Sequence, residues 1–218
     1  LIIVLLLGGG GIAGYFYFSQ KTVDESAEIK TPIVLPPLLF SETKKNINST
    51  GLNANKLITE INSLNILPGQ IGNISITNII AGAEERELSS SEFFNSINSG
   101  APADLIRSLD GRNMIGAVYS LEGQRSGFII FKTSSHQKTF AGMLAWEKGS
   151  MVKDTHEIIN GYAPNEILVK TAFEDFILNN QDTRILKDDT GNVVLIYGFL
   201  DNNTIAISGN RSGFNEII

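Results

Sequence analysis

The first eighteen residues, from Leu1 to Phe18, carry no charge, and the first charged side chain is Lys21. About 20 apolar residues in a helix cross a hydrocarbon core about 30 Å thick. A cleaved signal peptide has a shorter apolar region and a small-residue cleavage site. This run instead closes on Tyr15-Phe16-Tyr17-Phe18, rings that favour the headgroup level of a bilayer. The sequence therefore predicts a retained transmembrane helix over residues 1–18, and a chain whose remaining part works beside a membrane. The chain does not begin with Met, so an orienting basic segment is expected ahead of Leu1. After the span come Lys21, Asp24, Glu25, Glu28 and Lys30. That is no basic excess, which favours an extracytoplasmic ectodomain.

Within the span, Gly10 and Gly14 are four residues apart, the spacing that lets two membrane helices approach closely. They are the candidate helix–helix contact, with another copy or another membrane subunit. The competing explanation is tolerance: membrane helices accept Gly well, and Gly8 to Gly11 make some match at this spacing almost unavoidable.

Composition narrows the chemistry. The net charge is −6 and no Lys/Arg run exceeds Lys44-Lys45, so the basic face of a nucleic-acid binder is missing. There is no Cys, which removes disulfides, thiol nucleophiles and thiolate metal sites. His136 and His156 are the two histidines, and they lack the i, i+4 spacing of a zinc-binding helix. No cofactor and no metal is expected. The expected partners are membrane lipid and other envelope subunits, or self-association.

Residues 19–37 read as a Pro-containing tether, with Pro32, Pro36 and Pro37 disfavouring helix. Ile33-Val34-Leu35 and Leu38-Leu39-Phe40 are expected to dock as an edge strand. Residues 38–110 are expected to form a small mixed subregion. Asn53 caps a helix with Leu57, Ile58, Ile61 and Leu64 on one face. A strand follows through Ile74, Ile76 and Ile79. Ser89 and Glu92 have capping-box spacing, and Pro102 opens a further short helix.

Residues 111–218 are expected to form an α+β domain. A hairpin runs over 114–132, then a helix over 135–150 carries Phe140, Met143, Leu144, Trp146 and Met151. Phe173, Phe176 and Ile177 suggest a short helix. Arg184 to Ser208 reads as a three-stranded meander turning at Asp188 to Asn192 and Asp201 to Asn203. Phe214, Ile217 and Ile218 begin a last helix that looks cut off. The predicted fold class is thus α+β, with one transmembrane helix and an antiparallel-sheet ectodomain containing ββα units. A duplicated ββα unit is a further expectation to be checked. The string Gly-x-Arg-Ser-Gly-Phe occurs at 123–128 and 209–214, but in contexts that do not superpose, which makes it coincidence.

The segment Phe140-Ala141-Gly142-Met143-Leu144-Ala145-Trp146-Glu147 resembles one in uncharacterised single-pass membrane proteins of uncultivated, small-genome bacteria. Asp182 to Asp188 and Phe199 to Ile205 are similar to the C-terminal part of the same proteins. The resemblance implies a membrane-anchored bacterial envelope protein and carries no activity, so it assigns no functional residue.

Catalytic motifs are thin. Ser41-x-x-Lys44 and Ser135-x-x-Lys138 match the Ser-x-x-Lys of penicillin-binding enzymes, whose Lys assists the nucleophile, but no Lys-Thr-Gly follows. A plain helix cap accounts for Ser135. Glu174-Asp175 and Glu84-Glu85-x-Glu87 are candidate carboxylate pairs, or charged turns without calcium-loop spacing. The expectation is a non-catalytic envelope scaffold or assembly subunit, pilus- or secretion-like. The alternative is a ligand-binding or sensory ectodomain. A serine peptidoglycan-directed enzyme comes last.

Overall fold

Continuous apolar runs around Ile115, Ile129, Ile196 and Ile205 supply strands buried on both sides, and these set the architecture. The computed structural model describes residues 38–65, 71–120, 123 and 125–218, all within one unit, Pro37–Ile218. The expected transmembrane helix with Gly10 and Gly14, and the tether, lie outside the described residues. Among the described residues no helix is long and apolar enough to cross a membrane.

The elements in chain order are β1 (Thr43–Asn48), α1 (Ala54–Asn65), β2 (Ile74–Ala81), β3 (Arg86–Glu87), α2 (Ser90–Ser96), α3 (Ala103–Ser108), β4 (Leu109–Tyr119) and β5 (Arg125–Thr133). Then come α4 (His136–Glu147), α5 (Met151–Asn160), α6 (Glu166–Lys170), β6 (Glu174–Leu178), β7 (Gln181–Lys187), β8 (Val193–Asp201), β9 (Thr204–Ser208) and α7 (Arg211–Asn215). One sheet runs β1-β2-β4-β5-β9-β8-β7-β6, with β3 also on β2. Every pairing is antiparallel except β1 with β2. A parallel pair needs a crossover, and α1 provides it. The fold is mixed α+β with a large, mainly antiparallel sheet.

Side-chain alternation places Phe128 and Ile130 of β5 on one face and Ile129 and Phe131 on the other. The second face carries the helical layer: Leu57 and Ile61 of α1, Phe93 and Phe94 of α2, Leu105 of α3, Met143 and Trp146 of α4, Ile158 and Ile159 of α5. At its centre Phe94 stacks on Phe131 at 5.1 Å and meets Trp146 edge-on at 5.3 Å. Phe214 and Ile217 pack on the opposite face with half-buried Leu38 and Leu39.

Two backbone approaches fix α5 against the sheet. A Cβ on Gly127 would lie 2.4 Å from the Ile159 carbonyl oxygen, so only glycine lets β5 and α5 come this close. Gly161 ends α5 in the left-handed region at φ 83°, the usual helix stop.

Four expectations need correction. The edge strand is Thr43–Asn48, not Leu38-Leu39-Phe40; an edge strand buries little, and only Ile47 of this one is buried. The helix expected over 135–150 is two helices broken at Lys148-Gly149-Ser150, so Trp146 and Met151 share a core but not a helix. Phe173 to Ile177 is not helical: Glu174–Leu178 is a strand, and the helix precedes it at Glu166–Lys170, capped by Asn165. Asn179 and Asn180, with φ of 50° and 63°, close the β6–β7 hairpin, as a two-residue turn with both residues left-handed does. Finally, residue 110 falls inside β4, and strands from 38–110 and 111–218 join in one sheet.

The duplicated ββα idea fails on geometry. β5 and β9 are antiparallel neighbours, so a two-fold relating them stands normal to the sheet and preserves its faces. Yet α4 packs on one face and α7 on the other.

Candidate functional site

The sequence candidates fall apart as catalytic pairs. Ser135 caps α4, its Oγ accepting the Lys138 backbone N–H at 3.5 Å, while the Lys138 side chain is exposed. Ser41 precedes β1 and Lys44 lies within it, exposed. Glu174 and Asp175 are neighbours on a strand, hence on opposite faces, and each has its own cation, Lys187 and Arg184. Glu84 and Glu85 lie in an exposed turn. His136 is exposed and stacks on Phe199 at 3.9 Å; His156 is buried. Among the described residues no three His, Asp or Glu side chains gather to hold a metal ion.

The Ser89–Glu92 capping box forms as the spacing predicts. Glu92 also takes a bidentate pair of bonds from Arg86, at 2.6 and 2.9 Å. The Arg86 guanidinium first, and the Ser89 hydroxyl and N–H after it, hold the Glu92 carboxyl at about 2.

Sequence reasoning missed an ionic network under the helical layer. Arg184 of β7 donates to both Glu147 oxygens, Nε at 2.9 Å and Nη2 at 2.8 Å, and Nη1 reaches Asp175 at 2.5 Å. Its Nη2 also reaches the Phe173 carbonyl at 3.1 Å, and the Tyr197 hydroxyl donates to Glu147 at 2.8 Å. The Glu147 side chain is only 5% exposed and that of Arg184 18%. Burial opposes the Arg184 charge, but the Glu147 and Asp175 bonds outweigh it and hold the group protonated more firmly than usual. Burial, then Glu147, pushes the Tyr197 phenol well above its ordinary range. The network ties the end of α4 to β7 and β8, with its donors and acceptors turned on one another. That is a fastening, not a reactive site.

A second knot forms on Asp154 of α5. Its Oδ2 accepts from Ser99 Oγ at 2.7 Å, Gly100 N at 3.1 Å, Trp146 Nε1 at 2.8 Å and Ser150 Oγ at 2.7 Å. It joins the α2–α3 loop, α4 and α5 at one carboxylate.

His156 lies two residues further along α5. Its Nδ1 is 3.0 Å from the Tyr162 carbonyl. A carbonyl only accepts, so the proton of the neutral ring sits on Nδ1; among the described residues Nε2 is buried without a partner. Burial pushes its pKa below the ordinary value, partly opposed by the Tyr162 bond. Below pH about 6.5 the unfolded chain binds a proton that the folded one refuses, so stability falls as pH drops. Denaturation midpoints of the full chain should be level above pH 7 and decline from about 6.5 towards 5. His156→Leu should flatten that decline; an equal slope in the variant would remove this account.

Among the described residues, two of the surface clefts stand out. One, of about 280 Å³, lies between Tyr162, Ile167, Leu168, Val194 and the Asp188-Asp189 turn. The other, of about 450 Å³, lies between α7 and the β7–β8 turn, lined by Leu178, Gly191, Asn192, Val193, Asn210, Arg211, Ser212 and Asn215. Beneath it, the two Gly-x-Arg-Ser-Gly-Phe copies meet. Ser126 Oγ accepts the Gly209 N–H at 3.0 Å and lies 2.9 Å from Ser208 Oγ. Ser126 to Phe128 of the first copy are strand, and Arg211 to Phe214 of the second are helix, in keeping with coincidence.

The chain matches no family model, no curated protein and no solved structure at a significant level.

Proposed function

We propose that the protein is a non-catalytic, membrane-anchored envelope protein. Its α+β unit serves as scaffold or assembly subunit of a cell-envelope complex of the pilus or secretion kind. The observation that carries this reading is the uncharged run of residues 1–18 closing on an aromatic cluster. Two features of the described unit support it. Its most conspicuous buried charges are spent on internal fastenings. Its surface exposes large apolar groups, Tyr162 at 59%, Ile167 at 66% and Ile177 at 68%, the last on edge strand β6, where an open strand edge offers a pairing template. The partners of this reading are membrane lipid and other envelope subunits or a second copy.

Alkaline extraction of membranes tests the anchor: the full chain is expected in the pellet, and release into the supernatant would contradict it. If Gly10 and Gly14 are a helix contact, Gly10→Leu with Gly14→Leu should lower the signal of a membrane dimerisation reporter, because the backbones no longer approach. Insertion should persist, since Leu favours the span by about 0.5 kcal/mol. An unchanged signal would leave assembly to the ectodomain. A ligand-binding ectodomain is the second reading, favoured by the polar cleft beside α7. The serine-enzyme reading ranks last, because Ser135 Oγ is engaged as a helix cap.

A further inference from the structure

The cleft beside α7 is lined by one arginine and by several side chains with unused hydrogen-bonding capacity. Arg211 is held with its guanidinium carbon 4.3 Å from the centre of the Phe176 ring. Among the described residues it makes no hydrogen bond and no ion pair, so its fork of donors remains available. Three carboxamides line the same cleft, each fixed through part of its bonding capacity. Asn210 accepts the Gly213 N–H at 2.7 Å through Oδ1, which leaves Nδ2 available. Asn215 accepts Asn179 Nδ2 at 3.0 Å through Oδ1, which again leaves Nδ2. Asn192 donates through Nδ2 to Thr190 Oγ1 at 2.7 Å and to Asp188 Oδ2 at 3.3 Å, which leaves Oδ1. Leu178 and Val193 supply a small apolar wall.

We propose that this cleft binds a carboxylate-bearing sugar. A guanidinium pairs with a carboxylate through two parallel bonds, and a single cation balances a single negative charge. Carboxamides that are anchored at one atom and free at the other match the fixed directions of ring hydroxyls, which both donate and accept. A cleft of about 450 Å³ lies within the usual range for small-ligand sites. The apolar wall suits the C–H face of a pyranose. A ring carboxylate (a uronic acid) and a lactyl ether carboxylate (as on N-acetylmuramic acid) share this chemistry. The inference goes beyond the assembly reading and does not depend on it.

The test is calorimetric titration of the full chain in mild detergent with glucuronate, N-acetylmuramic acid, methyl glucoside and acetate. Binding of either sugar acid, with methyl glucoside and acetate each at least tenfold weaker, is the expected result. Which acid binds identifies the source of the carboxylate. Arg211→Gln should weaken that binding at least tenfold at an unchanged melting temperature. Arg211→Lys keeps the charge without the fork, should fall between the two, and serves as the deciding variant if Arg211→Gln does not fold. No binding of either acid, equal binding of acetate, or full affinity in the variant tested overturns the proposal.

Discussion

Arg184→Ala is expected to lower stability by about 3–5 kcal/mol, the range for breaking a buried ion pair by removing one partner. The cost arises less from the lost attraction than from what remains. Glu147, 5% exposed, would be left with only the Tyr197 hydroxyl donating to it among the described residues, and burying a carboxyl group without its cation is expensive. In a domain of this size the melting temperature should fall by roughly 6–20 °C. Tyr197→Phe removes one hydrogen bond to a charged group and should cost only about 1.5–3 kcal/mol. Arg184→Met combined with Glu147→Leu should recover much of the loss, because an apolar pair of similar volume often replaces a buried ion pair at little cost. If Arg184→Ala melts with the wild type, or the double variant is worse than the single one, the network is not the fastening described here.

Phe94→Ala should be as severe, at about 3–5 kcal/mol for an aromatic ring removed from a packed core. Phe94 is fully buried and touches Phe93, Phe131 and Trp146, at centroid distances of 5.8, 5.1 and 5.3 Å. It therefore joins α2, β5 and α4 at one point, and its loss opens a cavity at the junction. The single Trp reports on the same site: its emission in the folded variant should shift as the neighbouring ring disappears. Phe140→Ala, at an exposed position of α4, is the control and should stay within about 0.5 kcal/mol of wild type. Comparable losses in the two variants would contradict the core assignment.

The parts of the fold that could be read beforehand carry their signal locally. The 114–132 hairpin and the final meander are apolar, β-prone runs bounded by Gly-, Asp- and Asn-rich turns, and the Ser89–Glu92 box is complete within four residues. Misread elements had weak or ambiguous local signals. Thr43–Asn48 is polar because an edge strand need bury only Ile47. Glu174–Leu178 holds three apolar residues in a row, which periodicity alone cannot assign. Its deciding clue was Asn179-Asn180, a pair that tolerates left-handed φ and closes a hairpin. The break between α4 and α5 is marked by Gly149, and Ser150 then binds Asp154. The candidate sites were the least legible. Glu147 is 37 residues from Arg184 and 50 from Tyr197, so no spacing rule connects them. Arg211 and Asn192 line one cleft because β8 and β9 bring α7 beside the β7–β8 turn.

The proposed assembly on a membrane is tested most directly by the state of the intact protein in mild detergent. The full chain, purified in mild detergent and measured by light scattering across a concentration series, should run as an oligomer or carry a stoichiometric partner. Association should persist with the span intact and weaken when surface residues such as Ile177, exposed on β6, are replaced by Lys. A lone monomer at every concentration, with nothing co-purifying, would contradict the claim.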